Sequence, residues 1–230
     1  MDNYKINILY EKFIEDGRNI SLHECLGGYP DKEDCTWYHS NWMLLRYLGV
    51  VSNPYWHENF YRNALDYINV RGKNFLVAGT ADFSMPLLCS ESSIEKICIC
   101  DICKTPLKIC DMVSNFLGYD WTTYVQDICG KLSLKYDVII NDAFLSRFVD
   151  KTPVLKGISE GLKSGGYYIT TLKQGKSNIG GEVSDLVKES FVNKVKERYD
   201  NRKSSLPSFD VECISTTYAS KMSSSPIKNE

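Results

Sequence analysis

Acidic and small polar residues stand at the ends of four apolar runs in the middle of this chain. NFLVAG (74–79) leads into Thr80, Ala81, Asp82, Phe83 and Ser84; KICICD (96–101) ends in Asp101; TTYVQD (122–127) ends in Asp127; YDVIIND (136–142) ends in Asn141 and Asp142. A turn that starts with glycine lets the backbone come close to a ligand. A carboxylate about 20 residues further on can accept hydrogen bonds from ribose hydroxyls, and Asp101 lies 22 positions beyond Gly79. The spacing therefore points to a nucleotide-like cofactor. A dinucleotide fits badly: its G-x-G-x-x-G fingerprint would place glycine where this chain has Ala81 and Ser84, and Asp82 would set a negative charge beside a pyrophosphate. A cofactor with a cationic amino-acid arm and no phosphate meets no such objection.

The runs that carry these residues are short and apolar enough for buried parallel strands, with GYYITTL (166–172) as a fifth. Helical patterns lie between them. TPLKICDMVSNFLG offers Thr105 as cap, Pro106 in the first turn and Gly118 to close; TPVLKGISEGLKSGG repeats the device with Thr152, Pro153 and Gly165. Such alternation predicts an α/β fold with a doubly wound, mainly parallel sheet, whose ligands bind beyond the carboxyl ends of the strands. Residues 182–202 read as a long amphipathic helix with Leu186, Val187, Phe191 and Val195 inward. FDVECISTTYAS (209–220) reads as a terminal strand and 221–230 as a polar, frayed tail. The first 70 residues read as helical: one helix ending at Gly17, one over 36–49, and one capped by Asn53 with Pro54 in its first turn. The expected organisation is an N-terminal helical lid (1–70), a cofactor domain (71–220) and a tail (221–230).

The lid holds all three histidines. Within CTWYHSNW (35–42), Trp37 and Trp42 supply apolar walls and Tyr38 and His39 polar tips; His39, with an unperturbed pKa near neutrality, is the expected general base. The aromatic group around His57 reads mostly as core, and residues 21–35 as a turn-rich loop that gates the site. Nine cysteines, an odd number, do not suggest a disulfide scaffold. Cys98, Cys100, Cys103 and Cys110 read as core packing. A set of His23, Cys25, Cys35 and His39 matches no known zinc spacing, so no metal site is expected. A formal charge of −2 without a basic stripe argues against nucleic acid, and no apolar run approaches the ~20 residues of a membrane span. A soluble, cytoplasmic protein follows, with the lid aromatics as a surface on which a homodimer could form.

Residues 70 to 175 resemble the class I S-adenosylmethionine-dependent methyltransferases. The resemblance rests on FLVAGTADFS as the cofactor loop, ICICD and YVQD as the ends of the second and third strands, YDVIINDAFLSRF as the fourth-strand motif, and LKSGG as the turn before the fifth strand. It implies that Gly79, Thr80 and Ala81 carry the methionine part of S-adenosylmethionine, which leaves as S-adenosylhomocysteine. Asp101, with Ile102 beside it, would hold the ribose; Asp127 and Ile128 would meet the adenine; Asn141, Asp142 and Ala143 would line the methyl-bearing end. Trp37, Tyr38, His39, Trp42, Phe144 and Arg147 would then bind a small-molecule acceptor. The family's loop is Gly-x-Gly-x-Gly, whereas this chain has Gly79, Ala81 and Phe83. A non-catalytic binding protein, a nicotinamide-dependent oxidoreductase and an aminopropyl transferase are the competing readings.

Overall fold

The computed structural model describes residues 4–25, 35–172 and 183–222. The chain divides into two compact units, one of Met1–Met43 with Asn53–Leu172, the other of Leu44–Ser52 with Lys173–Glu230. This division does not fall at residue 70. The sequence's gating loop falls largely, and its polar tail almost wholly, outside the described residues.

In the first unit come α1 (Tyr4–Glu24), α2 (Thr36–Tyr47, whose last turn enters the second unit) and α3 (Glu58–Tyr67), the last preceded by a 3₁₀ turn at Pro54–His57. They are followed by β1 (Phe75–Ala78), α4 (Ser84–Glu91), β2 (Lys96–Asp101), α5 (Lys104–Leu117), β3 (Asp120–Val125), β4 (Tyr136–Asn141), α6 (Thr152–Gly161) and β5 (Leu162–Thr170). The five strands form one sheet in the order β3-β2-β1-β4-β5, every pair parallel. β1 is central and buried throughout, as expected for a strand covered on both faces. The chain winds outward from β1 to β3, then returns to place β4 on the other side of β1. The order therefore reverses between β1 and β4, and a crevice at the carboxyl ends of those two strands is where such sheets bind ligands. Leu76 and Ile139 are paired in register across β1 and β4 and share a core cluster with Ile128, Leu132, Val154 and Ile158.

The N-terminal helices belong to this packing. α1 does not stop at Gly17 but runs through it, and the glycine is there because a β-carbon would collide with Met43 Cε at 2.2 Å. Gly17 marks a close approach of two helices, not an end. Asn53 caps its turn as expected, accepting from Tyr55 N at 3.0 Å, and Gly118 closes α5 in the left-handed conformation (φ 70°). Cys103, not Thr105, occupies the N-cap of α5. α6 ends at Gly161, and Gly165 lies within β5, whose pairing with β4 shifts between Tyr136 and Val138.

In the second unit, α7 (Asp185–Asp200) buries Val195 but leaves Leu186 and Val187 exposed, against the expectation that both face inward. The expected terminal strand is a helix, α8 (Val211–Lys221). Asp210 accepts from Cys213 N at 3.0 Å and caps it. Val211, Ile214, Ser215 and Ala219 share a buried face at helical spacing, which a two-residue period hides. Arg198 donates from Nη1 to Leu48 O (2.8 Å) and Gly49 O (2.7 Å), and Arg202 to Tyr47 O, so carbonyls at the end of α2 find cationic partners.

One contact fixes how closely α6 lies against the chain that follows β3. A β-carbon at Gly157 would stand 1.8 Å from Ile128 O, whereas one at Gly118 would meet nothing within 4 Å. Gly118→Ala should cost about 1 kcal/mol, through backbone strain alone. Gly157→Ala should cost more, about 1–3 kcal/mol or above, because backbone must move. Urea unfolding midpoints of the two variants measure the difference.

Candidate functional site

The loop after β1 leaves the sheet at Gly79, whose N–H is held by Cys100 O at 2.8 Å and whose φ of 70° suits glycine. Beyond it the loop folds inward. Asp82 has no exposed surface: Oδ1 accepts from Ser84 N (2.8 Å) at the start of α4, and Oδ2 from Tyr10 Oη (3.3 Å) on α1. Tyr10 Oη accepts in turn from Asn53 Nδ2 at 2.9 Å, and Thr80 Oγ1 donates to Asp82 O. Phe83 is fully buried with its ring 5.0 Å from that of Tyr10. The departures from a glycine-rich loop thus have a structural cause: the loop is built around a buried carboxyl and an aromatic ring.

At the end of β2, Asp101 Oδ1 accepts from Cys103 N at 2.8 Å. Burial pushes its carboxyl up to about 6, although the Cys103 N–H and the nearby His39 pull the other way. Its backbone carbonyl takes Gln126 N at 3.0 Å, tying the end of β2 to the chain leaving β3. Ile102 is exposed next to it. Asp127 is exposed in the turn after β3, its Oδ1 accepting from Cys129 N at 2.9 Å. Ile128 differs from expectation, since it turns into the core cluster.

After β4, Asn141 is buried and occupied: its Oδ1 takes Thr170 Oγ1 at 2.6 Å and its Nδ2 lies 3.1 Å from Tyr168 Oη. Asp142 Oδ1 accepts from Tyr61 Oη (2.9 Å) on α3 and from Thr171 Oγ1. Ala143 has φ 52°, an unfavourable value for a residue with a β-carbon, and its N–H is held by Thr171 Oγ1 at 3.0 Å. This turn throws Phe144 back across the crevice onto Gly79, where a β-carbon would lie 2.3 Å from its ring. Gly79 is therefore needed twice, for its φ and for the ring above it.

From α2, Tyr38 and Trp42 pack against each other (ring centroids 4.6 Å apart) beneath the Arg147 guanidinium, which lies 4.5 Å from the Tyr38 centroid and 6.0 Å from that of Trp42. Three of the expected acceptor residues thus meet. Trp37 is half-buried, and its carbonyl accepts from Asn41 Nδ2 at 2.8 Å. His39 is placed differently from a base facing an open chamber. Its Nδ1 lies 3.3 Å from Cys25 Sγ and 3.5 Å from Cys103 Sγ. Burial alone lowers an imidazole, but Cys103 and Cys35 outweigh it and hold His39 up at about 9. A ring protonated at neutral pH has no lone pair to take a proton, which is a poor match for the role expected of it. Sequence reasoning drew His39 together with His23, Cys25 and Cys35 but placed Cys103 among the core cysteines; in the structure His23 is exposed and Cys103 takes its place beside Cys25 and Cys35.

The donor set at the carboxyl edge fits an adenosyl group. Asp101 and Asp127 offer carboxylate acceptors for hydroxyl and amine protons, and Gly79 offers bare backbone, with the ring of Phe144 as the part that must yield. No helix among the described residues is long and apolar enough to cross a membrane.

No protein-family model matches the chain, and no curated protein matches it. Solved structures do. An S-adenosylmethionine-dependent methyltransferase from Clostridium acetobutylicum is 18% identical over 64% of this chain and 61% of its own, with a TM-score of 0.50. A candidate sarcosine dimethylglycine methyltransferase from Galdieria sulphuraria is 14% identical over 71% of this chain and 77% of its own, with a TM-score of 0.53. The chain spans about three fifths of the length of the first of these. The fold is that of the class I, Rossmann-like methyltransferases.

The hydrogen-bonded path from Asn53 through Tyr10 to Asp82 should matter to stability. Tyr10→Phe removes the hydroxyl that joins Asn53 to Asp82 and should cost about 1–3 kcal/mol. Urea unfolding of wild type and variant measures it, and an unchanged midpoint would mean that the path carries nothing.

Proposed function

We propose that this chain is an S-adenosylmethionine-dependent methyltransferase acting on a small molecule in the cytoplasm. The observation that carries the reading is the Asp101 carboxyl at the carboxyl end of β2, one strand from the bare Gly79 backbone at the reversal of strand order. The shared fold supports it. When bound, the cofactor supplies an electrophilic methyl group on a sulfonium, to be displaced in line by the acceptor. The chain's own part is to bind, orient and exclude water. Asp101 accepts the ribose hydroxyls, Asp127 faces the adenine amino group, and the backbone of Gly79, Thr80 and Ala81 carries the amino-acid arm. Phe144 swings from Gly79 and, with Ala143, flanks the reacting end. Asn141 and Asp142 act chiefly through the turn they hold, Asn141 Oδ1 accepting from Thr170 and Asp142 Oδ1 from Thr171 and Tyr61. Tyr38, Trp42 and Arg147, with Trp37 beside them, form an aromatic and cationic wall suited to a planar or anionic acceptor. A net charge of −2 and nine free cysteines accord with a metabolite substrate and a reducing compartment.

A second reading, a binding protein of this fold without catalysis, draws on one observation: Phe144 lies where Gly79 would have to be approached.

Calorimetric titration with S-adenosylmethionine and S-adenosylhomocysteine, with NAD(H) as control, separates the two. Micromolar binding of the sulfur compounds alone is expected. Asp101→Asn keeps an acceptor for Cys103 N–H but loses the charge, and should weaken S-adenosylhomocysteine binding by roughly 10- to 100-fold, the worth of a charged hydrogen bond. Binding unchanged in that variant would sink the site. Absence of binding in both wild type and Phe144→Ala would leave the non-catalytic reading.

A further inference from the structure

Three cysteines and a histidine from separate parts of the sequence converge in the first unit. Cys25 follows the end of α1, Cys35 immediately precedes α2, His39 lies one helical turn into it, and Cys103 caps α5. His39 N donates to Cys35 O at 3.0 Å, so the Cys-x3-His spacing puts both side chains on one helical face. All four potential ligand atoms lie within 4.8 Å of one another. Cys25 Sγ lies 3.6 Å and Cys35 Sγ 3.7 Å from Cys103 Sγ, and His39 Nδ1 lies 3.3 Å from Cys25 Sγ and 3.5 Å from Cys103 Sγ. A tetrahedron with Zn–S of about 2.3 Å and Zn–N of about 2.0 Å has edges of ~3.8 Å between sulfurs and ~3.5 Å between sulfur and nitrogen. A disulfide would need ~2.05 Å. Four of the six edges thus match the tetrahedron that a zinc ion requires, and the other two are within 4.8 Å.

From this geometry we propose that Cys25, Cys35, Cys103 and His39 Nδ1 bind one zinc ion in a closed Cys₃His site. The surroundings suit thiolates. Thr105 Oγ1, buried, lies 3.0 Å from Cys25 Sγ and can donate to it. Cys103 sits at the N-terminus of a 14-residue helix, where negative charge is favoured. On binding, the protons still carried by the coordinating thiols and by His39 Nδ1 pass to solvent, and the imidazole coordinates neutral through Nδ1 with its remaining proton on Nε2. Three thiolates against a doubly charged ion leave the site with one negative charge. Four protein ligands leave no open position, so the ion is a structural clip and not a Lewis acid for the reaction. What it clips is specific: the end of α1, the start of α2, and the junction of β2 with α5, two residues beyond Asp101. Because Asp101 Oδ1 holds Cys103 N–H, a metal that fixes Cys103 also fixes the backbone that presents Asp101.

The test uses the full chain purified under reducing conditions and needs no cofactor, so its failure would leave the methyltransferase reading standing. Elemental analysis should find about one zinc per chain, and the chelator-stripped protein should take up Co²⁺ with the visible spectrum of a tetrahedral thiolate site. Cys35→Ser and His39→Ala should each lower zinc affinity by at least about 10-fold, while Cys213→Ser, in the other unit, keeps it. If Cys25→Ser fails to fold, the cobalt spectrum of the wild type and the half-exposed Cys35 variant still decide. Three results would overturn the proposal: a wild-type chain that takes up neither zinc nor cobalt, Cys35→Ser and His39→Ala variants that hold zinc like the wild type, or a Cys25–Cys103 disulfide in the purified protein.

Discussion

A carboxyl group with no exposed surface governs how the loop after β1 is built. Asp82 cannot be left unpartnered in the interior, where a lost hydrogen bond costs about 1–3 kcal/mol. Its partners come from three directions: the first turn of α4, Tyr10 on α1, and, through the Tyr10 hydroxyl, Asn53 ahead of α3. That requirement turns the loop inward immediately after Gly79 and buries Phe83 beneath Tyr10. It also makes the N-terminal helices part of the loop's own support. A glycine-rich loop gets its path from permissive backbone; this one gets it from a buried polar anchor and a ring.

The same loop sets the condition at the crevice. Gly79 and Phe144 meet where strand order reverses, the Phe144 side being thrown there by a left-handed Ala143 that Thr171 holds in place. Strain of about 1 kcal/mol or more at such a residue persists only where surrounding structure enforces it. Asn141, Asp142, Tyr61, Thr170 and Thr171 are that surrounding structure. They act as a brace for the turn that sets Phe144 against Gly79.

Much of the sheet could be read from sequence because its strands are continuous apolar runs closed by turn residues, and because Asp101 lies at the expected interval from Gly79. Two features could not. The segment at 209–220 alternates well enough to pass for a strand, yet Asp210 caps it and its buried residues recur at helical spacing. The cysteines were the second. Cys103 sits beside Cys98 and Cys100 in the chain, and nothing local distinguishes it from a core thiol. Only the packing of α1 and α2 brings Cys25, Cys35 and His39 to it, over separations of 64 to 78 residues. The one local signal was Cys35-x3-His39, a ligand pair on one helical face.

Hydrogen–deuterium exchange of the whole chain with and without S-adenosylhomocysteine tests the central claim, that the carboxyl edge of the sheet between Gly79 and Asp101 receives the cofactor. Exchange of the amides from Gly79 to Ser84 and from Asp101 to Cys103 should slow on adding the ligand, and the segment around Ala143 and Phe144 should change with them. Unaltered exchange in all three segments at a concentration that saturates binding, or protection confined to another part of the chain, would contradict the account.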